Sequence, residues 1–254
     1  MNKKILISLC TIVAVAAIVV GVTRAYFSDT ETSTGNTFTA GELDLKVDST
    51  CHYNGKVCMQ DATGAPYHWE GSQIPCSCTW TETDLIDHLF FNFLDVKPGD
   101  RGEDTISLKA VNNDAWLCAN IKNLKKFENG CTEPEAVVDS DCGNPGQGEG
   151  ELQQKIHMKI WMDVSNQGTA VPCDNILQPE ELVLVEDTVI DSNAGVYPLG
   201  QIRGDQKVCL GVAWWIPSEV GNIIQGDSVT GDISFYAEQV RNNPDFICPG
   251  LRVD

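Results

Sequence analysis

Apolar side chains recur at every second position in several segments of this chain, and that period fits a strand and not a helix. In 42–48 (ELDLKVD), Leu43, Leu45 and Val47 face one way, and Glu42, Asp44, Lys46 and Asp48 the other. Residues 104–111 alternate through Ile106, Leu108 and Ala110, and Asn112-Asn113-Asp114 turns the chain into a strand over 115–124. Ile156, Met158, Ile160 and Met162 line one face of a further strand. The longest, 228–240, sets Val229, Gly231, Ile233, Phe235 and Ala237 against Thr230, Asp232, Ser234, Tyr236 and Glu238. Strands are also expected at 88–96, ended by the turn Lys97-Pro98-Gly99-Asp100, and at 182–190 and 206–215. Short helices are expected at 179–182 and 217–220. Many short strands with one wet face predict an all-β fold, a jelly-roll-like antiparallel β-sandwich.

The N-terminus sets the compartment. Lys3 and Lys4 precede 19 uncharged residues, 5–23, and Arg24-Ala25 follows. Thr23 and Ala25 are small enough for the −3 and −1 positions of a signal-peptidase site, so 1–25 reads as a signal peptide cleaved between Ala25 and Tyr26. The rival is a retained anchor, since 19 helical residues at about 1.5 Å each nearly span a core of roughly 30 Å. Cleavage makes the protein a membrane species only as its precursor. The mature chain, 26–254, reads as a single domain. Of the 17 basic residues it loses three and of the 36 acidic none, so its balance is 14 against 36, or −22. That acidity repels phosphate backbones and excludes nucleic acid as a partner.

Cleavage also removes Cys10 and leaves ten cysteines: Cys51, Cys58, Cys76, Cys78, Cys118, Cys131, Cys142, Cys173, Cys209 and Cys248. An even number in an exported chain predicts five disulfides. Cys76 and Cys78 are expected to take different partners, because a ring closed over one residue is strained. Zinc is the weaker reading, with no CxxC pair and no finger spacing. Residues 49–87 and 125–151 break the strand rhythm and read as Cys-rich or acidic insertions.

The segment YFSDTETSTGNTFTAGELDL (26–45) resembles the start of mature proteins of the TasA/camelysin family. DVKPGD (95–100), TISLKAVNNDAWLCANI (105–121), AWWIPSEVGNIIQGDSV (213–229) and FYAEQVRNN (235–243) resemble further blocks of that family, the last two of its archaeal members related to bundling pilins. The resemblance implies processing by a SipW-type signal peptidase and a secreted subunit that polymerises head to tail into extracellular filaments, pili or biofilm matrix. It implies donor-strand complementation, in which one subunit's N-terminus completes the sheet of the next. Residues 26–37 are the candidate donor, with Tyr26, Phe27, Ser28, Asp29, Thr30, Glu31 and Thr32 at its core. This stretch is rich in Ser and Thr, carries no Cys, and could add to an exposed sheet edge.

Three other chemistries have some footing in the sequence. A camelysin-type metallo-endopeptidase would need a pair of His on one helical face with a Glu beside them. His52, His68, His88 and His157 form no HExxH, and no GxSxG is present, so no catalytic residue is assigned. Asp163, Ser165, Gln167, Gly168 and Asp174 approximate a calcium loop, although only two of its ligands are charged. Asp139, Asp141, Glu149 and Glu151 form a second acidic cluster. Trp116, Trp214 and Trp215 raise a cell-surface glycan-binding adhesin, because an exposed Trp can stack on a sugar ring. Trp214 and Trp215 point to opposite faces of one strand, so at most one belongs to the core.

Overall fold

A computed structural model describes residues 28–30, 43–62, 64–164 and 172–251. The expected signal peptide, its cleavage site and most of the donor segment, including Tyr26, Phe27, Glu31 and Thr32, lie outside the described residues. Thirteen strands are described: β1 (Ser28–Thr30), β2 (Asp44–Tyr53), β3 (Lys56–Met59), β4 (His68–Trp69), β5 (Trp80–Thr83), β6 (Arg101–Val111), β7 (Ala115–Glu128), β8 (Gly146–Gln147), β9 (His157–Asp163), β10 (Val183–Val189), β11 (Gly195–Ile202), β12 (Lys207–Trp215) and β13 (Ser228–Gln239). Only three short 3-10 turns, Leu152–Gln154, Ile190–Ser192 and Ser218–Ile224, are helical among the described residues.

The strands form two sheets, and every pairing is antiparallel. The smaller runs β1-β13-β7-β11, with β8 on the end of β7. The larger runs β10-β9-β12-β6-β2-β3-β4, with β5 also on β2. The alternation read from sequence decides which residues meet between them. Leu45 and Val47 of β2, Ile106, Leu108 and Ala110 of β6, Met158, Ile160 and Met162 of β9, and Leu210, Val212 and Trp214 of β12 face Leu117, Ala119 and Ile121 of β7 and Phe235 and Ala237 of β13 in one buried core. The all-β sandwich expected from the period is borne out.

Three local expectations are corrected. Residues 88–96 form no strand. They cross the end of the sandwich as a loop, and their aromatics plug separate gaps. Phe90 meets Phe235 edge-on with ring centres 5.8 Å apart, and Phe93 lies 4.9 Å from Trp214 and 5.2 Å from Tyr53. The apolar run therefore marks a loop lying on the core. Residues 179–182 form a turn, with Glu181 N–H bonded to the Gln178 carbonyl. The strand rhythm also runs further than expected: β2 continues to Tyr53 and β7 to Glu128, inside the stretches read as insertions. The turn at Lys97-Pro98-Gly99-Asp100 forms as expected, with Gly99 at φ +91° and the Lys97 N–H donating to the Asp100 carboxylate at 2.7 Å.

All ten cysteines among the described residues are paired: Cys51–Cys78, Cys58–Cys76, Cys118–Cys248, Cys131–Cys142 and Cys173–Cys209. Cys76 and Cys78 take different partners. The first two bridges fasten the β3–β4–β5 flap around Trp69, and the third ties the C-terminal tail to β7 near its start, at Cys118. That tail lies on the smaller sheet: Trp116 donates its indole N–H to the Asn243 carbonyl at 2.9 Å and stacks on Phe246, which also stacks on Tyr236.

Candidate functional site

The edge of the smaller sheet carries the three described residues of the candidate donor segment. Ser28, Asp29 and Thr30 pair with Glu238, Ala237 and Tyr236 of β13. The opposite side of β13 is paired with β7 nearly throughout, from Ser228–Phe127 to Gln239–Ala115. Among the described residues, β13 thus has a full ladder on one side and a three-residue ladder on the other. The slot itself is well built. Ala237 is fully buried, and Glu238 accepts from the Tyr236 hydroxyl and the Asn243 amide, each at 2.7 Å. The cysteine nearest to β1 in the mature sequence is Cys51, beyond the 13-residue stretch 31–43 that leads to β2. Thirteen extended residues reach at most about 43–47 Å.

The calcium-loop residues are only partly in view. Asp163 is fully buried at the end of β9, and both its carboxylate oxygens accept backbone N–H groups, from Cys173 at 2.7 Å and Asn175 at 2.6 Å. Asp174 accepts the Ile176 N–H at 2.9 Å and the Gln178 amide. Ser165 and Gln167 lie outside the described residues. Asp163 therefore already clamps the loop that the Cys173–Cys209 bridge anchors to β12. Of the second acidic cluster, Asp141 and Glu149 are exposed, whereas Asp139 and Glu151 converge with Glu128, Glu135 and Asp227. The last three were missed in sequence because the folding of 129–151 onto the start of β13 is what brings them close.

The four histidines stay apart. His52 sits on β2, His68 on β4, and His88 stacks on Trp80 in the loop after β5. His157 is bonded to Asp187 at 2.7 Å and stacks on Trp215. No histidine belongs to a group of three metal-ligating side chains among the described residues. His157 borders an open cleft of about 580 Å³, with Lys155, Glu219 and Asn222 in its wall and no Ser, Thr or Cys lining it among the described residues. Trp214 is buried in the core and Trp215 is half-buried on the outer face, as their alternation requires.

Comparison with known proteins gives one family. No curated protein matches the chain. The chain is weakly similar to a solved structure of infectious bursal disease virus Gx strain, at 12% identity and a TM-score of 0.20, covering 86% of this chain and 56% of that one. The chain thus spans little more than half of that structure's chain, and so low a score carries no argument. The family model described as camelysin metallo-endopeptidase matches residues 1–56, a stretch that includes the candidate donor, β1 and β2. Over that stretch, the N-terminal resemblance to the TasA/camelysin family read from residues 26–45 is borne out.

Proposed function

We propose that the mature chain is a secreted structural subunit that polymerises head to tail by donor-strand complementation. The observation that carries this reading is the β1–β13 edge. Among the described residues, the family-matched N-terminal segment meets a sheet edge through Ser28–Thr30, and residues 26–43 carry no Cys that could fasten it there. A strand of this kind, with no disulfide of its own, can leave its own edge and fill the same edge of a neighbour. Strand addition satisfies backbone groups that an open edge exposes, and each net hydrogen bond contributes about 0.5–1.5 kcal/mol. Because donor and acceptor are different surfaces of one chain, the contact propagates without closing. Export, cleavage by a SipW-type peptidase and the extracellular filament belong to the same proposal.

Deletion of residues 26–34 tests it. The truncated protein should fold, remain monomeric and form no filaments by electron microscopy; filaments of unchanged form would overturn the reading. A positional test uses Ser28→Cys with Glu238→Cys, which face each other across the ladder. Filaments of this double variant should give a ladder of covalent multimers on a non-reducing gel, and crosslinks confined within monomers would count against exchange. The peptidase named by the matching family is separated from this reading by zymography with and without chelator, and the adhesin by a glycan array.

A further inference from the structure

Five carboxylates gather where residues 129–151 fold back onto the start of β13. Carboxylate oxygens of Glu128, Glu135 and Asp139 lie within 4.8 Å of one another, and so do those of Glu128, Glu151 and Asp227. Glu128 ends β7, Asp227 immediately precedes β13, Glu135 and Asp139 come from the loop closed by Cys131–Cys142, and Glu151 leads into the turn at Leu152–Gln154. Among the described residues, none of the five is in an ion pair.

Burial makes this arrangement unusual. Glu135 is 0% exposed and Glu128 3%. Each uses one oxygen locally, Glu135 for the Thr132 N–H at 3.2 Å and Glu128 for the Gly130 N–H at 2.7 Å. The other oxygen of each is buried without a partner, as are one oxygen of Glu151 and one of Asp227. Asp227 spends its remaining oxygen on the N–H groups of Glu151 and Leu152, at 2.6 and 2.9 Å. Four unpartnered, water-excluded carboxylate oxygens beside one another are costly unless something positive lies among them. Burial and the neighbouring acids push Glu135 and Asp227 above the usual carboxylate range and Glu151 up to about 6, with Lys126 acting in the other direction on Glu151. The backbone is shaped around the group as well. A side chain at Gly150 would meet the Phe127 carbonyl at 2.5 Å and an Asp227 oxygen at 2.8 Å, and one at Gly226 would meet the Gly130 carbonyl at 2.8 Å.

We propose that Glu128, Glu135, Asp139, Glu151 and Asp227 bind a hard divalent cation of the calcium class, with Glu128 shared between the two halves of the site. The donor set is all oxygen, because Cys131 and Cys142 are joined to each other, and such a set suits calcium rather than zinc. Calcium–oxygen bonds of about 2.3–2.6 Å allow ligand oxygens up to about 4.6–5.2 Å apart, and the oxygens within each group of three lie no more than 4.8 Å from one another. The ion ties the acidic loop to β7 and β13. This site is separate from the 163–174 loop, whose buried Asp163 is already satisfied by backbone groups.

The test uses monomeric mature protein with its disulfides intact, stripped with EDTA, so that it does not depend on polymerisation. Calcium chloride alone, titrated by calorimetry, should give saturable binding and slow deuterium uptake across 129–151 at least tenfold. Glu128→Gln with Glu135→Gln should abolish both effects, and Asp139→Asn, at the half-exposed rim, should weaken binding at least tenfold in a chain that folds normally. Asp174→Asn should leave binding unchanged. Absence of calcium heat in the wild type would overturn the proposal. So would protection that falls outside 129–151, or binding lost in Asp174→Asn and retained in Asp139→Asn.

Discussion

Asp104 sits on β6, 1% exposed, with one oxygen accepting the Ser49 hydroxyl at 2.7 Å and the other buried without a partner. Burial raises its pKa well above the ordinary carboxylate value, and the Ser49 bond offsets only part of that. A raised folded value means that this group's contribution to stability is fully present below its unfolded value near 4 and is lost as pH rises through the folded one. Asp104→Asn should therefore be neutral in acid and stabilising by about 1–3 kcal/mol once the wild-type carboxyl ionises. Urea midpoints of the two proteins measured from pH 4 to 8 should diverge with rising pH; convergence would contradict the assignment. In sequence Asp104 is one more polar residue at the start of an alternating run. Its parity matches that of Ile106, Leu108 and Ala110, so the strand turns it to the core-facing side, where Ser49 of β2 meets it. Gly211 and Gly102 are equally unmarked in sequence. Each faces a tryptophan across the ladder, Trp161 and Trp214, whose ring lies 2.1 and 2.4 Å from where a Cβ would stand.

Strands such as β2 and β6 were legible because apolar residues alternate with polar ones along them, whereas β9 and β12 are buried on both faces over part of their length and were legible from their apolar runs. The elements that escaped have physical reasons of their own. β11 (Gly195–Ile202) contains Pro198 and Gly200 and shifts register between them, which an edge strand tolerates and a sequence pattern reads as a turn. β3, β4 and β5 are two to four residues long, and their flap is fastened by Cys51–Cys78 and Cys58–Cys76, so period contributes little to it. At this scale the bridge with the longest span is Cys118–Cys248, which closes a separation of 130 residues and holds the tail over Trp116 and Tyr236. Replacing both with serine should cost about 2–5 kcal/mol in denaturant and expose Trp116 to quenchers. An unchanged midpoint would mean that the tail is held by its aromatic stacking and the hydrogen bonds of Asn243 without the bridge.

The whole molecule is strongly acidic, with a formal charge of −19 for the full chain. If subunits add head to tail, like-charged bodies must meet, and salt should shorten the lag. Raising sodium chloride from 10 to 150 mM, with chelator present to keep divalent ions out, contracts the screening length from about 30 to about 8 Å. Light scattering should then show assembly starting sooner; an unchanged or longer lag would remove electrostatic repulsion as the barrier. Taken by itself, the sequence determined the sandwich, because a two-residue period leaves only one way to bury an apolar face. It also pointed to export and to the N-terminal family resemblance, since both are written in contiguous residues. Tertiary structure alone decided which cysteines pair, which strand receives Ser28–Thr30, and how five carboxylates from four separate segments come together. The disulfides and the β1–β13 ladder join residues from 11 to more than 200 positions apart, and the carboxylates span from Glu128 to Asp227, so no local pattern encodes them.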